Sequence, residues 1–204
     1  MANDTGAFGL KPDRYVDGTC WDGATVECYI SSSYATALFV GDPVLLSPTL
    51  AEKDATGRYQ TINKSTGLDG IIVWGVITSF AVDPDNLDRV YNPASTERIA
   101  NVVIPTDNLL FTIRGDGGGT PDSTFTGSNA VMIASTAGDT NTGLSGMMLD
   151  EGTTTAPSAD QSNPLFIYGV HQTDDNTLGD NVVYDVLINT NENATGRILG
   201  VVAA

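Results

Sequence analysis

The stretch Asn181-Val-Val-Tyr-Asp-Val-Leu-Ile-Asn189 decides the class of fold. Val182, Tyr184, Val186 and Ile188 fall on one wholly apolar face, and Val183, Asp185, Leu187 and Asn189 on a mixed one. A period of two sends successive side chains to opposite faces of a strand, whereas a helix would scatter these residues around its circumference. Leu109, Phe111 and Ile113 alternate in the same way against Leu110, Thr112 and Arg114. Ile71 to Phe80 is apolar on both faces, which predicts a central strand covered on both sides.

Short apolar runs bounded by turn residues recur outward from these segments, the pattern of an all-β chain. The further strands expected are Val26 to Ile30, Ala37 to Val40, Pro43 to Leu46, Asn101 to Ile104, Ala130 to Ala134, Gly146 to Leu149, Leu165 to Val170 and Arg197 to Val202. Helical signals are confined to Asn92-Pro93, which would cap a turn or two over Ala94 to Ala100, and to Thr49 to Ala55. Long polar loops separate the strands at 114–121, 136–143 and 152–163. The reading is a single β-barrel or β-sandwich-like domain over 19–204, preceded by an extended N-terminal arm over 1–18. Gly6, Gly9, Pro12 and Gly18 suit an extended path, and Phe8, Leu10 and Tyr15 give the arm apolar teeth.

Charge narrows the function. Across 204 residues, 9 Lys+Arg face 25 Asp+Glu, a formal net of −16. A nucleic-acid partner calls for a basic face that nine scattered cations do not supply, and an anionic membrane surface is disfavoured likewise. No run nears the ~18 apolar residues of a membrane-spanning helix. Met1 to Leu10 lacks a basic and an apolar region, so no secretory signal is expected there.

The residues that carry chemistry do not converge in sequence. Seven residues separate Cys20 from Cys28, which fits no common zinc pairing, and free thiols are expected. His171, the single histidine, reads as a solvent-facing residue at a strand end, and no Gly-x-Ser-x-Gly presents a nucleophile. Many aspartates precede glycine, as at Asp17, Asp22, Asp69 and Asp116, where turn formation accounts for them. Asp83-Pro-Asp85-Asn-Leu-Asp88 opens like a calcium loop but lacks the glycine and the closing glutamate. Arg114-Gly115-Asp116 matches an adhesion tripeptide, yet reads as a strand end entering a glycine-rich turn. No enzyme, cofactor or metal site is expected. A glycan- or Ca-binding surface module and a weak acid/base hydrolase stand as the alternatives.

Several blocks resemble tailed-bacteriophage head proteins encoded beside the major capsid protein, some of which are capsid decoration (cement) proteins. They are Ala7-Phe-Gly-Leu-Lys-Pro12, Tyr34-Ala-Thr-Ala-Leu-Phe-Val-Gly-Asp-Pro-Val-Leu-Leu46, Trp74-Gly-Val-Ile77 and Tyr91-Asn-Pro-Ala-Ser-Thr-Glu-Arg98. Asp185-Val-Leu-Ile-Asn-Thr190 and Gly196-Arg-Ile-Leu-Gly-Val-Val202 complete the set. The resemblance implies a β-rich subunit, a homotrimer at three-fold or quasi-three-fold positions on the outer capsid surface, with the major capsid protein as partner. It also implies an N-terminal arm that contributes to the grip. Phe8 and Leu10 would enter capsid pockets, with Lys11 and Tyr15 beside them as further contacts. The acidic charge favours the outside of the shell, away from packaged DNA.

Overall fold

Twelve strands build two hydrophobic cores that share a wall in the computed structural model, which describes residues 3–49, 52–134 and 136–190. In chain order they are β1 (Lys11–Tyr15), β2 (Val26–Ile30), β3 (Pro43–Leu46), β4 (Gln60–Lys64), β5 (Gly75–Phe80) and β6 (Arg98–Val103). There follow β7 (Leu109–Arg114), β8 (Asn129–Ala130), β9 (Met132–Ala134), β10 (Met147–Leu149), β11 (Leu165–Val170) and β12 (Val183–Ile188). Strands β2-β4-β3-β5-β6 close a small barrel, in which only the β2–β4 pair is parallel. Strands β1-β7-β12-β11-β8 form an antiparallel open sheet, and β9 pairs with β10. The fold is all-β.

The strand periodicity explains the two cores. Val182, Tyr184, Val186 and Ile188 all point into the larger one, beside Leu109, Phe111 and Ile113 from β7. The barrel interior holds Cys28, Ile30, Val44, Ile62, Ile77, Ala100 and Val102, a filling of side chains that leaves no lumen. Strands β5 and β6 divide their faces between the two. Ile77 and Val102 point into the barrel, and Val76 and Val103 into the larger core. That is why Ile71 to Phe80 carries apolar residues on both faces. The strand itself starts only at Gly75, and Val73 before it gives its amide to the Thr190 carbonyl.

The N-terminal arm is corrected. From residue 3 the segment belongs to the body. Asn3 bonds the backbone of Thr177 and Asp180, Leu10 is 1% exposed inside the larger core, and β1 is a full member of the open sheet. The expected boundary at 18/19 falls inside a tight hairpin, where Tyr15 N–H donates to the Thr19 carbonyl and Arg14 bridges to Cys20. A backbone crossing locks the segment to the barrel. Leu10 N–H donates to the Gly41 carbonyl at 2.9 Å, with Gly9 and Gly41 at φ +71° and +91°. A Cβ on Gly41 would lie 2.2 Å from the Phe8 carbonyl oxygen, so only glycine lets the chains approach this closely. The blocks 7–12 and 34–46 therefore meet in space.

Two helix expectations fail or fall away. Asn92 caps no helix; its backbone exchanges two 2.8 Å hydrogen bonds with Leu38, and the residues from Arg98 on join β6. Pairing with the barrel satisfies more backbone groups than an isolated turn of helix would. Thr49 to Ala55 and Arg197 to Val202 lie partly and wholly outside the described residues. Ala37 to Val40 pairs only through single bridges at Leu38 and Val40. Cys20 is exposed, Cys28 is buried, and both are free thiols; burial pushes the Cys28 thiol up to about 12.

Candidate functional site

A cleft of about 570 Å³ opens between the barrel and the open sheet. The N-terminal segment forms one side of it through Phe8, Leu10 and Lys11, and Trp21 follows from the hairpin after β1. Ile77 comes from the shared wall, and Val183 and His171 from the sheet. Phe8 is held by the buried Arg114 guanidinium, whose carbon sits 5.5 Å from the ring centroid. Arg114 also donates to the Asp4 carbonyl, so the Arg114-Gly-Asp tripeptide begins with a buried structural cation and is no exposed adhesion loop.

A charged clamp adjoins the cleft. Asp185, 2% exposed, accepts from Arg14 Nη2 at 2.5 Å and from His171 Nδ1–H at 2.7 Å. Arg14 also holds Asp13 at 2.5 Å. The clamp arises because Arg14 on β1 reaches across β7 to the mixed face of β12, while β11 delivers His171 at its end. His171 is thus not simply solvent-facing; its side chain is 20% exposed and its tautomer is set by a buried carboxylate. Asp13, His171 and Asp185 bring potential metal-ligand atoms within 4.8 Å of one another. Both carboxylates are engaged by Arg14, however, and a cation would have to displace that guanidinium. The set works as an ion-pair staple between strands.

A second surface lies on the loop between β5 and β6. Val82 and Leu87, 76% and 77% exposed, are the most exposed large apolar side chains among the described residues, and Val90 at 41% follows on the same loop. The loop that carries them is rigidly framed. Arg98 donates to the carbonyls of Ala81, Tyr91 and Arg89, its guanidinium lies 5.2 Å over the Phe80 ring, and Arg89 pairs with Asp83 at 2.7 Å. Asp83 also accepts from Asp85 N–H, so the carboxylate that would open a calcium loop is engaged internally.

A third group is buried and structural. Glu151, 1% exposed, accepts from the Tyr184 hydroxyl at 2.8 Å and from Gly117 N–H at 2.8 Å. Burial pushes its carboxyl above the ordinary value of 4.5, and the two hydrogen bonds only partly oppose this. The folded state then holds this proton more tightly than the unfolded chain does. Stability from this group is full in acid, below the unfolded value, and is lost as pH rises through the folded one. The midpoint of urea unfolding for the native chain is expected to fall from pH 5 to pH 8 relative to Glu151→Gln. Parallel profiles would show that the buried carboxyl is not what titrates.

The four residues expected to grip a partner are not gathered on one surface. Phe8 is half-buried and borders the cleft, and Lys11 is exposed at it. Leu10 is a core residue that lines the cleft floor, which corrects its assignment as an inserting side chain. Tyr15 is half-buried, packs on the larger core and borders a different, smaller hollow of about 180 Å³ together with Trp21. Sequence reasoning missed Trp21 and the Val82–Leu87 ridge as surface-shaping residues, and Asp185 as the buried centre of the clamp. Only Asp185 left a signal, as a lone carboxylate between Tyr184 and Val186. No protein-family model, curated protein or solved structure matches the chain.

Proposed function

We propose that the chain is a structural virion protein, a decoration (cement) protein that binds the outer surface of a phage head as a homotrimer and braces its shell. The observation that carries the reading is the framed ridge of Val82, Leu87 and Val90. Exposed apolar side chains on a loop fixed by Arg98 present contact area whose ordering cost is already met by the fold. The blocks that resemble head proteins support it, since 7–12 and 34–46 include the two glycines of the crossing that sets the barrel against the sheet. The formal charge of −16 favours the outer face over contact with packaged DNA. A trimer engages several capsid subunits together, so weak contacts at each ridge add through effective concentration.

The ridge replaces the N-terminal segment as the principal grip in this proposal. Leu87→Asp introduces a charge at an exposed site and leaves both cores untouched. The native protein is expected to co-sediment at micromolar concentration with expanded heads that lack it, and Leu87→Asp to bind at least ten-fold more weakly, the size of one lost anchor. Equal co-sedimentation of both would remove the ridge from the contact, and no co-sedimentation of either would remove the function.

A further inference from the structure

We infer that the cleft between barrel and sheet is a binding site for a small amphiphilic carboxylate, with its apolar body against Phe8, Leu10 and Trp21 and its anionic head on Lys11. Three observations meet there. The lining is mainly apolar and includes two aromatic rings, Phe8 and Trp21, and the volume of about 570 Å³ lies within the range of small-molecule sites. In a chain with 25 Asp+Glu, none of the described residues that line the cleft is acidic. Lys11 is the lining's permanent cation, and it makes no ion pair among the described residues. Arg14, Lys64, Arg89 and Arg114, by contrast, each hold an aspartate.

The electrostatics select the ligand. An uncompensated ammonium beside an apolar, partly enclosed surface attracts an anion more strongly than one in open water, because the low-dielectric wall weakens screening. A carboxylate accepts a charge-assisted hydrogen bond from Lys11, and the apolar body displaces water from Phe8 and Trp21. The other polar groups do not compete. Thr78 and Thr112 donate their hydroxyls to the carbonyls of Asn101 and Lys11, and His171 Nδ1–H is held by Asp185. An apolar cation finds no carboxylate in the lining, and a neutral apolar molecule leaves Lys11 without a partner.

The test is calorimetric titration of the native protein with decanoate, decanol and decyltrimethylammonium. Saturable one-to-one binding of decanoate is expected, at least ten-fold tighter than decanol, with the cationic probe weaker than both. Lys11→Gln changes one exposed side chain and is expected to keep the native circular dichroism. It should lower decanoate affinity to that of decanol and leave decanol affinity unchanged. Phe8→Ala should weaken decanoate and decanol alike. Equal affinity for decanoate and decanol, no saturation by decanoate, or decanoate binding untouched by Lys11→Gln would each overturn the assignment. Head binding is read in a separate assay, so its loss and the loss of this site are distinguishable.

Discussion

A chain that begins at Thr19 is expected to be unfolded at 25 °C, with no cooperative thermal transition and a random-coil circular dichroism spectrum. Removing the preceding residues deletes β1 from the edge of the open sheet and leaves β7 without the partner that pairs Thr112, Phe111, Leu110 and Leu109. It removes Leu10 from the larger core, about 2–5 kcal/mol for a buried leucine even if the rest stayed in place. It strips Arg14 from a buried carboxylate as well. Together these losses match the whole stability of a typical domain, about 5–15 kcal/mol. Gly41→Ala isolates one part of the effect, because its Cβ would meet the Phe8 carbonyl at 2.2 Å with the backbone at φ +91°. Left-handed strain and the forced separation of the two segments should cost about 3–4 kcal/mol, seen as a lower urea midpoint at unchanged slope. A folded Thr19 chain would restore the arm as a separable appendage.

Asp185→Ala is expected to cost about 3–5 kcal/mol. The carboxylate is 2% exposed and carries both Arg14 and His171. Its removal leaves a partly buried guanidinium without its main anion and frees the imidazole from its partner, and an uncompensated buried charge is the costly outcome. Asp185→Asn keeps the shape and one acceptor, so it should recover about half of the loss. The double variant Arg14→Ala with Asp185→Ala should be less destabilising than the sum of the singles, because each single leaves an orphan that the double does not. Additive losses would show that the staple contributes no coupling. Chemical denaturation at pH 7 reads the four variants, Arg14→Ala alone included, against the native protein.

The sequence carried the fold class because strand periodicity survives in local residues. Leu109–Arg114, Leu165–Val170, Val26–Ile30 and Pro43–Leu46 begin and end where the sequence places their apolar runs. Gln60–Lys64 was invisible since its only aliphatic residue is Ile62, and its pairing with β2 and β3 supplies what its own pattern lacks. The Asn92-Pro93 signal misled because capping residues also suit bends, and the bridge to Leu38 decided between them. Leu10 could not be read as core from its neighbours. Gly9 and Pro12 look like the marks of an extended arm, and the crossing with Gly41 that gives Gly9 its purpose lies far along the chain. His171, Asp13, Arg14 and Asp185 likewise meet only through strand order, with β7 between β1 and β12. The sequence shows local chemistry, and these sites are made by long-range register.

The decisive measurement of capsid binding is electron cryo-microscopy of expanded heads saturated with the purified protein. Trimeric density is expected at three-fold or quasi-three-fold positions on the outer shell, with the loop carrying Val82 and Leu87 turned towards the capsid subunits. Heads that stay bare, or carry the protein with this loop facing solvent, would contradict it.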